Sequence, residues 1–513
     1  MGWAVLVIVV ALVTMAAWDV TQRKHAILRN FPIIGHFRYW LESIGPELRQ
    51  YIVTDNNEER PFSRDQRSWV YASSKQQNNL FGFGTDNDLE SSPNYLVIKH
   101  AAFPWRAPDA TAGTGGALVK DPLHMVPCAK VLGGWRKRPK AFRPRSIINV
   151  SAMSFGSLSA PAVESINRGC NIAGALQNTG EGGISPHHDK GGELIWQLGT
   201  GYFGARRPDG RVDFDELARK CQRYAVRAIE IKLSQGAKPG KGGVLPAAKV
   251  TKEIAAIRGI PEGQACLSPS FHPEFSSVPE LVDFVERVAD ATGLPVGIKS
   301  AVGEDVFWDE LAHHMAETGR GPDYIFVDGG EGGTGAAPLV FSDRVALPFK
   351  IAFARVYKAF AQVGLHQEVV FMGAGRLGFP EQTLFAFGLG CDMVAVAREA
   401  MMAIGCIQAQ RCHTGHCPAG VATQNKWLMR GLDPTLKAAR LANYLVALRK
   451  EVLALSHACG VSHPALVGMH HFELVDDRFG ARLATGVFDY TEDWSLPSTE
   501  RAAEIDAMMS GGH

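Results

Sequence analysis

The sequence predicts an α/β fold, a (β/α)8 TIM barrel preceded by an apolar helix and a small N-terminal region. From about residue 147 onward, eight short apolar runs each end in small or polar residues, and helix-like segments separate them. Near-continuous apolar strands that alternate with helices indicate a parallel sheet covered on both faces. Eight such units fit a closed barrel better than an open sheet. The runs are IINVSAMSF, GALQNTG, RAIEIKLS, QACLSPS, PVGIKSA, DYIFVDGG, EVVFMGAG and DMVAVAR.

The first eighteen residues, MGWAVLVIVVALVTMAAW, carry no charged side chain. As a helix they would extend about 27 Å, close to the hydrocarbon thickness of a bilayer. Arg23, Lys24 and Arg29 follow this run, whereas no basic residue precedes it. This asymmetry favours an uncleaved, single-pass membrane anchor with the catalytic domain in the cytoplasm. A cleaved signal peptide ending near MAAW is the alternative.

We expect four regions along the chain: a transmembrane anchor at 1–18, an adaptor region at 19–100, the barrel domain at 101–460 and a C-terminal extension at 461–513. The 53 Lys and Arg residues nearly balance the 52 Asp and Glu residues, which gives a formal net charge of +1. Because nucleic-acid binding needs a clustered basic excess, the composition predicts no nucleic-acid partner.

Glycines and arginines follow the last three predicted strands. In a (β/α)8 barrel the chemistry gathers at the carboxyl ends of the strands, and the loops after the seventh and eighth strands commonly bind phosphate. The glycine-rich stretch after the sixth run could wrap a flat or phosphorylated ligand. The alternative is tight turns with surface arginines. The residues concerned are Gly332 and Gly333 after the sixth run, Gly373, Gly375 and Arg376 after the seventh, and Arg398 after the eighth.

Charged residues also stand where predicted strands end. Lys299 ends PVGIK, where a cation could stabilise negative charge on a reduced flavin ring, and Glu181 in NTGEGG is a candidate general acid or base. For both, a salt bridge in the barrel mouth is the alternative. Lys238 and Lys241 lie in SQGAKPGKGG, which fails as a nucleotide P-loop because no Ser or Thr follows the lysine. They are interpreted as partners for a ligand carboxylate or as solvated loop lysines.

Three cysteines, Cys406, Cys412 and Cys417, have the spacing C-x5-C-x4-C. A cytoplasmic location argues against a disulfide. Zinc sites usually contain C-x2-C pairs and four ligands, although His413 or His416 could supply a fourth. Three thiolates would suit a three-iron cluster, with one ligand for each iron. From the spacing alone, a metal site and three buried thiols are equally favoured.

Several of these stretches together carry a family resemblance. MSFGSLS, NTGEGG, EIKLSQGAKPGKGGVLPAAKV, GGTGAAP and GCIQAQRCHTGHCPAGVATQ occur in this order and resemble the synthase domain of glutamate synthase over about residues 145–430. The apolar N-terminus with ILRNFPIIGHFRYWLESIGPELRQ is similar to the stand-alone, FMN-binding proteins of that family. The resemblance implies a flavin barrel that converts 2-oxoglutarate, through 2-iminoglutarate, to L-glutamate.

The resemblance also implies residue roles and cofactors, namely FMN and a three-iron, four-sulfur (3Fe–4S) cluster that passes electrons to it. A guanidinium suits a dicarboxylate substrate, because it can donate two parallel hydrogen bonds to a carboxylate. Carried over by position, the assignments are Glu181 and Lys238 as catalytic residues, Gln235 and Arg258 as substrate-binding residues, Met153, Ser154 and Lys299 as FMN contacts, and Cys406, Cys412 and Cys417 as cluster ligands.

The chain departs from the family pattern in ways that affect substrate and partners. Val244 stands where the family has a substrate-contacting glutamine, and GAGRL replaces a DGGLKTG pattern. Neither a glutaminase domain nor a GxGxxG unit for NADPH is recognisable. We therefore expect ammonia or a partner amidotransferase to supply nitrogen, and a ferredoxin or a reductase to supply electrons. Two other functions stay open: an FMN oxidoreductase acting on another 2-oxo or 2-hydroxy acid, and a membrane-bound flavin and iron–sulfur electron-transfer subunit.

Overall fold

Eight parallel strands close into a barrel, which confirms the predicted fold class. The computed structural model describes residues 2–90, 92–106, 121–476, 478, 480–491 and 493–510. Residues 107–120 of the predicted barrel domain and 511–513 of the predicted C-terminal extension lie outside the described residues. The chain divides into two compact units, Met1–Ser68 and Trp69–His513. The region boundaries expected at residues 18, 100 and 460 stay predictions.

The strands of the described residues are, in chain order, β1 Tyr95–Ile98, β2 Ile148–Val150, β3 Gln177–Asn178, β4 Leu194–Leu198, β5 Val226–Lys232, β6 Val244–Leu245, β7 Cys266–Leu267, β8 Val296–Ser300, β9 Tyr324–Asp328, β10 Val370–Ala374, β11 Met393–Val396, β12 Phe472–Val475 and β13 Ala481–Leu483. The barrel consists of β2, β3, β4, β5, β8, β9, β10 and β11, and the pairing of β11 with β2 closes it. Strands β1, β12 and β13 form a separate antiparallel sheet.

One predicted barrel strand is wrong, and another strand escaped prediction. The run QACLSPS contains β7, which pairs antiparallel with β6 in a two-stranded sheet outside the barrel. The third barrel strand is instead β4, LIWQL, whose five residues are all buried. Only the short 3-10 turn Pro186–His188 lies between β3 and β4. Because no α-helix separates these strands, the alternation that predicted the others is missing here.

A helix follows most of the barrel strands, and common capping residues mark the helix ends. Helix α5 starts at Ser159, whose side chain accepts a hydrogen bond from the backbone N–H of Ala162, and it ends at Gly174 with φ +65°. The helices are α1 Gly2–Thr21, α2 Ala26–Asn30, α3 Gly35–Leu48, α4 Arg64–Ser74, α5 Ala160–Ala173, α6 Phe214–Arg223, α7 Lys252–Arg258, α8 Val278–Thr292, α9 Val306–Thr318, α10 Leu339–Arg344, α11 Phe349–Gln362, α12 Pro380–Gly388, α13 Arg398–Ala403, α14 Lys426–Met429, α15 Pro434–Ala458, α16 Ala484–Phe488 and α17 Thr499–Ser510.

Strand β5 connects the core of the barrel to its mouth. Alternate residues of a strand point to the same side, so Ala228, Glu230 and Lys232 share the interior face. Ala228 packs in a buried cluster that includes Tyr324, whereas Lys232 stands at the carboxyl end of the strand. Lys232 is in register with Lys299 of β8. Two lysines therefore lie side by side at the barrel mouth.

The unit Met1–Ser68 begins with α1, which is long and apolar enough to cross a membrane, by length and composition alone, with a mean hydropathy of 2.3. Asp19, near its end, is fully buried. One carboxylate oxygen of Asp19 accepts a hydrogen bond from the backbone N–H of Ile33 at 2.9 Å, and Nε2 of His36 lies 2.9 Å from the other. These contacts hold the start of α3 against the end of α1.

Candidate active site

Glu181 lies among cations above the second barrel strand. Its carboxylate is 3.2 Å from Nζ of Lys232, and the same ammonium donates a hydrogen bond to Oε1 of Gln235 at 2.6 Å. Arg258 and Lys238 add positive charge close enough to affect the ionisation of Glu181. The fold thus brings together the four residues that the sequence assigned to catalysis and substrate binding.

The ionisation of this group is set by burial and by its internal charges. Burial alone would raise the pKa of Glu181, but the charges of Lys232, Arg258 and Lys238 together hold it below its usual value. Burial lowers the pKa of Lys238, and Lys232 and Lys241 lower it further against the opposing charge of Glu181. An ionised Glu181 can accept a proton, whereas Lys238 gives up its proton more readily than an ordinary lysine.

Arg258 is buried at the end of α7 and carries an unused donor. Its Nη2 donates hydrogen bonds to the backbone oxygen of Phe155 at 3.3 Å and to Oγ of Ser154 at 3.5 Å. The guanidinium lies 5.3 Å from the centre of the Phe203 ring. Among the described residues, its buried Nε has no hydrogen-bond partner. A buried donor without a partner is costly, so this position suits an anionic ligand.

Met153 and Ser154 follow the first barrel strand, and both are buried. The next loop along the barrel packs directly on them through Gly180, whose φ is +65°. A Cβ at Gly180 would lie 2.6 Å from the backbone nitrogen of Ser154, so only glycine allows this approach. The loop that carries Glu181 and the loop that carries Met153 therefore form one continuous wall of the mouth.

The hairpin formed by β6 and β7 contacts the same carboxylate. A Cβ at Gly243 would lie 2.1 Å from Oε1 of Glu181, so the backbone passes immediately beside it. Val244, the first residue of β6, follows this glycine directly and is 38% exposed. The position at which the resemblance implies a glutamine therefore adjoins the backbone that lies beside Glu181.

Lys299 is buried at the end of β8. Its Nζ lies 3.4 Å from Oδ2 of Asp328 and 4.6 Å from the centre of the Phe326 ring. The same oxygen of Asp328 accepts the backbone N–H of Gly236 at 3.1 Å. For Lys299 the alternative prediction is a salt bridge in the barrel mouth, and Lys299 forms one with Asp328. The same alternative applies to Glu181, which forms a salt bridge with Lys232. Both pairs lie at the carboxyl ends of the strands, the side of a (β/α)8 barrel on which active sites are generally built.

The loop after the sixth barrel strand contacts the loops on both sides. A Cβ at Gly332 would lie 3.4 Å from the backbone nitrogen of Ala237, and one at Gly333 would lie 3.2 Å from Nη1 of Arg398. Arg398 is largely buried, which lowers its pKa, and its Nη2 donates a hydrogen bond to the backbone oxygen of Glu331. The predicted residues after the sixth and eighth strands therefore touch each other.

The predicted turn after the seventh barrel strand begins at Gly375, two residues later than the sequence suggests. Gly373 lies within β10, where a Cβ would meet the Phe349 ring at 2.6 Å, so this glycine serves the packing of α11. Gly375 has φ +154° and Arg376 has φ +59°. The backbone therefore changes direction at Gly375 and Arg376.

The three cysteines follow the eighth strand and α13. Cys406 and Cys412 are half-buried and Cys417 is buried, and the structure joins none of the cysteines of the described residues in a disulfide. Burial and the neighbouring Cys417 raise the pKa of Cys412, whereas the charge of Lys249 opposes this. Nζ of Lys249 donates a hydrogen bond to the backbone oxygen of Cys412 at 3.1 Å. In the part of the chain that the structure describes, no three His, Cys, Asp or Glu side chains are arranged to hold a metal ion.

Two important side chains escaped the sequence analysis. Lys232 closes RAIEIK as Lys299 closes PVGIK, so the same end-of-strand argument could have found it. Lys249 carries no such signal, because its contact with Cys412 joins loops that are distant in sequence.

Comparison with known proteins shows the family of this chain. A family model described as a conserved region in glutamate synthase matches residues 134–462. The glutamate synthase large subunit-like protein YerD of Bacillus subtilis is 37% identical over 487 residues, which cover 90% of this chain and 92% of that protein. An archaeal glutamate synthase (NADPH) of Methanocaldococcus jannaschii is 36% identical over 321 residues, which cover 61% of this chain and 59% of that one. A solved structure of mandelate oxidase with (S)-4-hydroxymandelic acid has a TM-score of 0.44 at 14% identity and covers 74% of this chain and 88% of its own. The family match and the identity to YerD show that the chain is an oxidoreductase that belongs to the glutamate synthase family.

Proposed function

We propose that this protein binds FMN and an iron–sulfur cluster and catalyses the reductive amination of 2-oxoglutarate to L-glutamate. Ammonia and two electrons, with two protons, convert the keto group to an amine and release water. The main support for the proposal is the excess of positive charge around Glu181. Three cations, Lys232, Lys238 and Arg258, surround this one carboxylate. Such an excess suits a substrate with two carboxylates.

The residues at the barrel mouth fit FMN. Gly332 and Gly333 leave the backbone of their loop without side chains, Arg376 and Arg398 follow the seventh and eighth barrel strands, and Lys299 is buried at the end of β8. When bound, FMN would supply the hydride that reduces the substrate carbon. Met153, Ser154 and Lys299 would hold the ring, and Arg376 and Arg398 would hold the phosphate.

Substrate binding and proton transfer are assigned to the chain's own side chains. Arg258, with its unpartnered Nε, and Gln235 hold the carboxylates of 2-oxoglutarate. Glu181 accepts a proton from ammonia as it adds to the keto carbon, because its lowered pKa keeps it ionised. Lys238 donates a proton to the departing oxygen, because its own pKa is lowered. Lys232 holds Glu181 and Gln235 in position for these steps.

Three cysteines in one segment fit a 3Fe–4S cluster in number and in donor type, and the charge of Lys249 opposes the rise in the pKa of Cys412 that burial causes. Cys406, Cys412 and Cys417 would hold the cluster, which would supply single electrons to the flavin. As placed, their side chains do not form a ready metal-binding group, so this assignment rests on the donor set and on the family.

Membrane attachment and partners complete the proposal. Helix α1 would anchor the protein by a single span with the barrel in the cytoplasm, which its length, its composition and the basic residues after it support. A ferredoxin or a reductase would supply the electrons, and free ammonia or an amidotransferase partner would supply the nitrogen. The archaeal relative is named as a glutamate synthase that uses NADPH, which favours a reductase that draws on this donor.

Chemically reduced protein, incubated with 2-oxoglutarate and ammonium, should form L-glutamate in proportion to the enzyme. Pyruvate in place of 2-oxoglutarate is the matched control, because it lacks the second carboxylate. Absence of glutamate despite full flavin and cluster occupancy would refute the synthase function. Faster turnover of pyruvate would favour an oxidoreductase for another 2-oxo acid, which Val244 leaves open. Flavin and iron–sulfur absorbance of the purified protein tests the cofactors separately.

A further inference from the structure

We propose that α3 lies in the plane of the membrane surface, with its apolar face in the boundary between headgroups and acyl chains of an anionic bilayer. The inference rests on the proposed anchoring by α1. It assigns an interaction to the adaptor region, which the sequence left without a role.

One face of α3 is apolar along its whole length. Its large apolar side chains recur three or four residues apart, which places them on one side of a helix. Several of them are well exposed: Ile34 by 77%, Phe37 by 59% and Trp40 by 55%. The rings of Phe37 and Trp40 stack with their centres 5.6 Å apart. The residues of this apolar face are Ile34, Phe37, Trp40, Leu41, Ile44 and Leu48.

The charges around the apolar face complement an anionic surface. Residues 22–53 contain five Lys and Arg residues and two Glu residues. Arg38 lies at one border of the apolar face, where it pairs with Glu42 at 2.9 Å, and Arg49 follows the end of α3. Long basic side chains at such positions can reach headgroups while their stems cover apolar surface. Basic residues next to a membrane span attract anionic lipids. Opposed apolar and polar faces with basic borders are typical of helices that lie at an interface.

The contacts of Asp19 set the level of α3 relative to the span. Asp19 lies near the end of α1 and holds both the backbone N–H of Ile33 and the side chain of His36. Trp18 is 70% exposed at the same end of the span, where interfacial aromatics stand. The apolar face of α3 therefore starts where α1 meets the headgroups. A protein partner could cover the same face, but the level and the basic borders favour lipid.

Lipid photolabelling of the full chain tests this assignment. The protein is reconstituted in vesicles of phosphatidylcholine and phosphatidylglycerol that contain a phospholipid with a diazirine on its acyl chain, and it is then digested with trypsin. Cleavage after Arg29, Arg38 and Arg49 separates two peptides of α3, residues 30–38 and 39–49, from the anchor peptide. We expect label on the anchor peptide and on both α3 peptides, and less label on α3 in vesicles of phosphatidylcholine alone.

Two matched double variants separate the faces of the helix. Phe37→Glu with Leu41→Glu places two charges on the apolar face, and Tyr39→Glu with Ser43→Glu places two on the polar face at the same spacing. The first pair should reduce α3 labelling about tenfold, because two apolar side chains leave the lipid. The second pair should change it by less than about twofold. Anchor labelling should be equal in all variants.

Each outcome decides between the proposals. A labelled anchor with unlabelled α3 peptides overturns the surface helix, leaves the anchor intact and favours a protein partner for the apolar face. Equal loss of α3 labelling in both double variants also overturns it. Labelled α3 peptides with an unlabelled anchor support the surface helix and overturn the anchor. If neither is labelled, both proposals fail.

Discussion

Replacing Lys238 with methionine should stabilise the folded protein while it destroys the site. Lys238 is 3% exposed, and its described hydrogen bond goes to a neutral carbonyl, that of Gly242, at 3.0 Å. Its folded pKa lies below the unfolded value, so at any pH below both values the folded state disfavours the ammonium that the unfolded chain carries. Burying one ion carries an effective penalty of several kcal/mol, and an apolar residue of similar volume does not carry this penalty. Because Glu181 offsets part of the penalty, we expect about 1–2 kcal/mol.

Lys232→Met is the matched control, because it removes the same charge from a paired lysine. Lys232 lies 3.2 Å from Glu181, with side chains that are 11% and 19% exposed. At an effective dielectric constant of about 20, charges at this separation attract by about 5 kcal/mol before desolvation is subtracted. Removing one partner of a buried pair costs about 3 kcal/mol, since the other charge is left uncompensated. The two lysine variants should therefore change stability in opposite directions.

Urea unfolding of the detergent-solubilised full chain at pH 7 measures both free energies. Saturating 2-oxoglutarate, at about a hundred times its dissociation constant, should add about 2.7 kcal/mol to the wild type and far less to Lys238→Met. If Lys238→Met destabilises the chain as much as Lys232→Met does, Lys238 is a structural residue. Its assignment to substrate chemistry would then be refuted.

Three further predictions address the proton, the phosphate and the thiols. In Glu181→Gln, the alkaline limb of the pH profile of kcat/KM should move to lower pH, because Glu181 raises the pKa of Lys238. An unchanged limb would show that Glu181 does not influence the ionisation of Lys238. Arg398→Gln should weaken FMN binding about tenfold in a flavin-fluorescence titration, because one charged phosphate partner is lost; unchanged affinity would exclude that contact. Cys417→Ser should abolish iron–sulfur absorbance, whereas Cys459→Ser, a buried cysteine outside the segment, should retain it; retention in both would contradict the cluster.

The barrel could be predicted because most of its strands alternate with helices and end in polar loops. Strand β4 broke this pattern, since only a 3-10 turn separates it from β3. The run QACLSPS resembled the pattern, because it contains the buried Cys266 in the short strand β7 and ends in small residues. Since the missed strand and the wrong one both lie between the second and fifth barrel strands, the numbering of the later loops was unaffected.

The sequence allowed prediction of those site residues that directly end or follow an apolar strand pattern. Glu181 and Lys299 stand at strand ends and were identified by that position. Gly373 and Gly375 both pack against Phe349. They differ because β10 includes Gly373 and ends before Gly375, and the sequence does not mark where that strand ends. The role of Lys249 likewise depends on a contact between two loops that only the closed barrel brings together.

Cys412 is held from two sides of the barrel mouth. Lys249, on the segment after the fourth strand, donates to its carbonyl, and Gly335, on the loop after the sixth, packs so closely that a Cβ there would lie 3.2 Å from its side chain. The segment of Lys249 also carries Lys238, and the loop of Gly335 also carries Gly332. Cys412 is therefore in direct contact with both segments, and we expect a shift of either one to move its backbone as well.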